Sequence, residues 1–256
     1  MVEGVTEISR DGSARSVSRE WIGEAPVALE FNGLAYAVMM ATPADLEDFV
    51  RGFALNEGLA GSNADIDEIA IAETHKGFIA RAQLSGLGVE QLSERVRGRV
   101  AESSCGLCGI ENLEALAKPL PAVAPHLPPN PQAIFNAVSA LRRNQSLNRR
   151  TGAAHGAGFA DRDGSLLCLR EDVGRHNAID KLVGALATTN SDIANGFFVS
   201  TARCSYEIVE KVVRAGGTSL VTVSLPTDMA VQRARAAGLS LFCLARDDSF
   251  LDLQAG

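Results

Sequence analysis

From residue 166 onward the chain alternates short apolar runs with amphipathic stretches, and this alternation constrains the fold more than any other feature. Strands are read at 166–169, 196–200, 219–224 and 239–245, with helices between them at 178–187, 205–215 and 228–237. Repeated strand-helix-strand units build a parallel sheet with covering helices. Crossovers are right-handed, so the loops after successive strands open on one edge of such a sheet. The loops 170–177, 201–205, 225–228 and 246–248 are therefore expected to line one cleft.

The first of those loops is the densest polar stretch of the chain, Arg170-Glu171-Asp172-Val173-Gly174-Arg175-His176-Asn177. Behind it Ala178, Ile179, Leu182, Val183 and Leu186 recur at helical spacing. Asn177 is the expected N-cap, and Asp180 complements the positive end of the helix dipole. A helix start flanked by Arg170, Arg175 and His176 suits an anion. The alternative is a solvated loop whose charges pair with one another.

Upstream, residues 1–15 show no usable periodicity and read as a loose terminus. Asn32-Gly33 predicts a hairpin within 27–39. Thr42, Pro43 and Asp45 predict a helix start, with Leu46, Phe49, Val50 and Phe53 as its buried stripe and Gly58 as its stop. Strands are expected at 66–72 and 78–84, and short helices at 91–100 and 111–118. Five prolines between 119 and 129 then read as an extended linker. A helix from Pro131 to about Gln145 and a hairpin of 153–159 with 166–169 complete the pattern. The fold class expected is α/β: an N-terminal α+β domain over 16–118, then a three-layer α/β domain over 131–256.

At 256 residues and 46% hydrophobic content the chain can bury real cores. A net charge of −7 disfavours nonspecific nucleic-acid binding. No apolar run reaches bilayer-spanning length and the first residues lack a signal-peptide core, so no membrane association and a cytoplasmic location are expected.

The odd number of cysteines, five, speaks against a disulfide framework. Cys168 and Cys243 lie in apolar strands and read as core residues, whereas Cys204 falls in a cleft loop. Cys105 and Cys108 form one Cys-x-x-Cys, flanked by Gly106 and Gly109. Structural zinc needs four ligands and no second pair is present, so no structural metal is expected. A thiolate on such a loop could attack a persulfide sulfur, with the second thiol available to resolve it. By spacing alone, sulfur or redox chemistry, metal binding and structural accident all stay open.

Together these segments resemble the formate dehydrogenase accessory sulfurtransferase family, FdhD. The resemblance rests on Ser104-Cys105-Gly106-Leu107-Cys108-Gly109, on Thr151-Gly152 with His155, and on the run Glu171 to Ala178 with Asp180-Lys181. Arg203, Ser205, Glu207, Lys211 and the closing Phe242-Cys243 extend it. It implies that sulfur is received from a cysteine desulfurase as a persulfide on Cys105, with Cys108 as partner. The sulfur is then passed to molybdenum bis(molybdopterin guanine dinucleotide) destined for formate dehydrogenase. It places cofactor binding on Phe242, Cys243, Leu244, Ala245, Arg246 and Asp247. Arg175, His176, Asn177, His155 and Arg203 are added from the predicted cleft.

The resemblance also implies a cytidine deaminase-like second domain, and it leaves room for a homodimer. A zinc deaminase needs Glu two residues after its first ligand, and His155-Gly156-Ala157 lacks it. A noncatalytic chaperone of the molybdenum cofactor remains the alternative function.

Overall fold

The computed structural model describes residues 2–88, 90–93, 119–189 and 191–254. The strands are β1 (Val2–Ile8), β2 (Ala14–Glu20), β3 (Ala25–Phe31), β4 (Leu34–Ala41), β5 (Ile66–Thr74), β6 (Gly77–Leu84), β7 (His155–Asp161), β8 (Leu166–Asp172), β9 (Gly196–Ser200), β10 (Ser219–Thr222), β11 (Ser240–Cys243) and β12 (Leu251–Asp252). The helices are α1 (Leu46–Asn56), α2 (Pro131–Asn144), α3 (Ser146–Thr151), α4 (Arg175–Ala187), α5 (Tyr206–Arg214) and α6 (Asp228–Ala237).

The six-stranded sheet has the order β12-β11-β10-β9-β7-β8. Strands β9, β10 and β11 are parallel, as their alternation with helices requires. β7 runs antiparallel to both of its neighbours, so β8 ends on the same edge as β9, β10 and β11. Helices cover both faces, which gives three layers. Ile134, Val138 and Leu141 of α2 pack with Phe197, Val199 and Phe242 on one side. Ile179 and Leu182 of α4, Val209 and Val212 of α5 and Ala234 of α6 pack with Phe198 and Leu220 on the other. Phe197 and Phe198 are adjacent in sequence and face opposite layers, the period-two alternation of a strand buried on both sides.

The N-terminal four-stranded sheet has the order β4-β3-β6-β5. Its face is covered by Phe49, Val50 and Phe53 of α1, the stripe read from the sequence. The opposite side of α1 lies on α4 at very short range. A Cβ built on Gly52 would sit 1.7 Å from the Asp180 carbonyl oxygen, and one on Gly184 would sit 1.9 Å from that of Asp48. Only glycine lets the two backbones approach so closely.

Several sequence expectations are corrected. The described part of the expected loose terminus, residues 2–15, is ordered in a hairpin: β1 and β2 pair in register from Val2 with Glu20 to Ile8 with Ala14. Both faces of this hairpin are largely exposed, so no apolar alternation marks it; Glu7 instead pairs with Arg15 and Arg19 across the strands. Thr42 does not cap α1, which starts at Leu46 behind Asp45; its hydroxyl accepts from the Val173 N–H. Asn177 does not cap α4 either. The helix begins two residues earlier behind Gly174, and Asn177 is buried within its first turn. The predicted loop at 170–177 shrinks to Val173-Gly174 because β8 continues through Asp172, with Arg170 held by Asp48 at 2.7 Å. Helix α3 was not anticipated. Of the helix expected at 91–100, residues 91–93 are helical; the rest, the stretch 111–118 and the Cys-x-x-Cys lie outside the described residues.

Candidate functional site

The carboxyl edge of the large sheet gathers four chain turns. Val223 N–H donates to Ser200 O at 3.1 Å, Ala245 N–H to Thr222 O at 3.0 Å, and Thr227 N–H to Cys204 O at 2.9 Å. Thr201 N–H reaches Gly156 O at 3.0 Å, which ties the β9 loop to the start of β7. Every loop expected to line one cleft therefore opens on this edge, where the pleated backbones leave side chains from separate strands side by side.

At the β7–β8 end the edge is cationic. His155 begins β7 opposite Asp172, while Arg175 and His176 occupy the first turn of α4. Burial, then the nearby charges of Arg175 and Arg203, hold the His155 imidazole below its ordinary pKa, so it is neutral beside two fixed cations. The buried Nε of Arg175 has no hydrogen-bond partner, and neither has the buried Ser205 hydroxyl at the start of α5. No side chain caps α4. Uncapped N–H donors, an unpaired guanidinium nitrogen and a second arginine form a fitting anion cradle. Nε2 of His176 lies 2.8 Å from Glu207, whose carboxyl is held below its usual range chiefly by this contact.

Beneath the cradle lies a dry polar network. Lys181 and Asp172 are fully buried and meet at 2.6 Å. Asp172 also accepts from Thr42 N–H at 3.0 Å, Gly174 N–H at 2.6 Å and Asn177 Nδ2 at 3.0 Å. Lys181 donates to Thr42 O at 2.9 Å, and Asn177 to Met40 O at 2.9 Å. A buried ion pair holds together when further hydrogen bonds support both partners, and here three N–H donors reach the carboxylate and one carbonyl reaches the ammonium. The network fastens β4 and the segment before α1 to β8 and α4, and it leaves the Asn177 side chain no free donor for a ligand.

The other predicted residues divide by burial. Phe242, Cys243 and Ala245 are core residues: Phe242 packs edge-on against Phe250 with centroids 5.6 Å apart, and the Cys243 thiol accepts from Thr222 at 3.4 Å. Their side chains support the edge from below. Leu244, at φ 52°, turns the backbone outward; Arg246 and Asp247 are exposed, with Asp247 paired to Arg142 at 2.6 Å. Cys105 and Cys108 lie outside the described residues. Among the described residues no group of three or more His, Cys, Asp or Glu could hold a metal ion, and no helix is long and apolar enough to cross a membrane.

The sequence reading missed Thr42, Lys181 and Asn56 as partners of the central motif. Asn56 Nδ2 and Lys211 Nζ both donate to Asp180 Oδ1, at 2.6 and 2.7 Å. The spacing of Glu207 and Lys211 on one helical face was the available signal.

The sequence profile of the FdhD/NarQ family matches residues 22–251. The chain belongs to this family. Among curated FdhD relatives, the sulfur carrier protein FdhD of Bordetella petrii is 40% identical over 224 residues, covering 88% of this chain and 81% of its own. That of Burkholderia mallei is 38% identical, covering 97% of this chain and 95% of its own. The fold resembles the crystal structure of a protein from Desulfotalea psychrophila described as a formate dehydrogenase accessory protein. There the TM-score is 0.78 at 21% identity, over 100% of this chain and 96% of the other. The match to the FdhD/NarQ family spans the four-stranded sheet and the six-stranded sheet as far as the start of β12, and leaves out the β1–β2 hairpin.

Proposed function

We propose that this protein is a sulfurtransferase that carries sulfur to the molybdenum cofactor of a formate dehydrogenase. The thiolate of Cys105 attacks the outer sulfur of a cysteine desulfurase persulfide. An S–S bond forms at Cys105 as the desulfurase S–S bond breaks, and the desulfurase cysteine leaves as thiolate. Cys108 thiolate then attacks the Cys105 sulfur, forming a Cys105–Cys108 disulfide and releasing hydrosulfide; an external thiol reductant restores the pair. The substrate is molybdenum bis(molybdopterin guanine dinucleotide), and its anionic pyrophosphates suit the cradle of Arg175, Arg203 and the α4 start. The observation that carries this reading is a Cys-x-x-Cys in a chain whose family relatives, over most of its length, are named sulfur carriers.

Mass spectrometry after incubation with a cysteine desulfurase and cysteine tests it. One added sulfur on Cys105 is expected, absent in Cys105→Ala, together with loss of formate dehydrogenase maturation. Full maturation by Cys105→Ala would overturn the assignment. Maturation without any persulfide would favour a noncatalytic cofactor chaperone.

A further inference from the structure

Between Glu114 and Asp161 the sequence holds no aspartate or glutamate, although 31 of its 256 residues are acidic. Helices α2 and α3 both fall inside that gap, so the helical layer on the α2 side of the large sheet adds no carboxylate of its own. It adds four arginines instead: Arg142 and Arg143 close α2, and Arg149 and Arg150 close α3. Cations in a last turn offset the helix dipole, which accounts for their position. The dipole does not account for the missing acids. An exposed helical arginine is commonly balanced by a glutamate one turn earlier, whereas Ser139 and Ser146 stand there before Arg143 and Arg150.

The four guanidinium groups divide by what they meet. Arg142 Nη1 lies 2.6 Å from Asp247, and Arg150 Nε reaches the two Glu20 oxygens at 3.2 and 3.0 Å. Both carboxylates come from distant segments, so this face already takes acids from outside its own layer. Arg143 and Arg149 are exposed and donate only to neutral oxygens, the Ser139 hydroxyl and the Arg143 carbonyl. Among the described residues neither has a carboxylate partner. The Glu171 carboxylate at the end of β8 accepts from the N–H groups of Leu147 and Asn148 at 2.8 and 2.9 Å, which fixes α3 beside the carboxyl edge.

We propose that this arginine face docks a short acidic segment of a partner protein and so seats that partner beside the carboxyl edge. Two carboxylates of the segment take Arg143 and Arg149, in the paired N–H to oxygen geometry that a guanidinium favours. The exposed pairs with Asp247 and Glu20 contribute little, so further acids of the segment exchange with them at small cost. A net charge of −7 for the whole chain selects against longer anions. A nucleic acid would run off the patch onto the acidic remainder of the surface, whereas a short peptide stays within the roughly 8 Å over which exposed charges act. None of the four arginines belongs to the anion cradle of Arg175 and Arg203.

An NMR titration of the full chain with a short synthetic peptide carrying two Asp-Glu pairs tests the assignment. The amide signals of α2 and α3 and the side-chain Nε–H signals of Arg143 and Arg149 are expected to shift with this peptide and to stay in place with its Asn-Gln counterpart. Raising the salt from about 0.05 M to about 0.3 M is expected to weaken binding at least about threefold, because exposed charges are screened. The double variant Arg143→Glu, Arg149→Glu changes two exposed side chains, and at least about tenfold weaker binding is expected of it. The same change of net charge at two other exposed arginines, Arg10→Glu with Arg235→Glu, is expected to leave the affinity within about twofold. Shifts with the Asn-Gln peptide, no shift in α2 or α3, or full affinity in the Arg143→Glu, Arg149→Glu variant would overturn the inference. So would tighter binding of double-stranded DNA or of phosphatidylserine vesicles to the same face, which would make it a nucleic-acid or a membrane surface.

Discussion

At the scale of single residues, the Glu171 to Lys181 motif divides between two jobs. Asp172, Asn177 and Lys181 are buried and hold the chain together, while Arg175 and His176 stay half-buried in the first turn of α4, with His176 beside Glu207. Lys181→Met would leave the fully buried Asp172 without its cation, and we expect a loss of about 3–5 kcal/mol, read from the midpoint of urea unfolding. A loss near zero would mean that the three N–H donors to Asp172 suffice without the lysine. His155 offers a second check. Its folded pKa lies below the ordinary value of about 6.5, through burial and then Arg175 and Arg203. The unfolded state therefore binds the extra proton first. The stability tied to His155 is complete above the unfolded value and is lost as pH falls through the folded one. An imidazole NMR titration should show the depressed value, and GDP, by neutralising the two arginines, should raise it. An unchanged titration with GDP bound would place the phosphate elsewhere.

At the scale of elements, the pairing of α1 with α4 decides how the two sheets meet. Gly52 faces the Asp180 carbonyl and Gly184 that of Asp48, so each helix presents a bare backbone to the other. Asp180, in the contact, accepts from Asn56 of α1 and Lys211 of α5. Gly52→Ala is expected to force the helices apart and destabilise the chain by about 3 kcal/mol. Thermal unfolding measures it; a fully stable Gly52→Ala protein would show that the close approach is not needed.

At the scale of the whole molecule, the two sheets are expected to unfold as one unit, even if they count as two domains. The α1–α4 contact and the Asp172–Lys181–Thr42 network both cross from one to the other, and exposing either would strand buried polar groups. Differential scanning calorimetry should give a single transition with matching calorimetric and van't Hoff enthalpies. Two resolved transitions would show that the crossing contacts are weaker than their burial implies.

What the sequence determined by itself was whatever rests on local periodicity. The strand at 196–200 and the helix at 228–237 matched to the residue, and the α1 stripe and the shared cleft edge followed from patterning and crossover handedness. The FdhD/NarQ membership was likewise legible in a contiguous motif. Tertiary structure decided the rest. The β1–β2 hairpin escaped notice because neither face is well buried, so no apolar alternation records it. Thr42 and Asn177 carry typical capping side chains, yet burial directed both into bonds with each other's segments instead. Asn56, Asp180 and Lys211 form one hydrogen-bonded cluster from three helices far apart in the chain. No spacing rule announces such a meeting. The partners of a buried polar group are set by which backbones can approach closely enough to exclude water, and here two glycines set that approach.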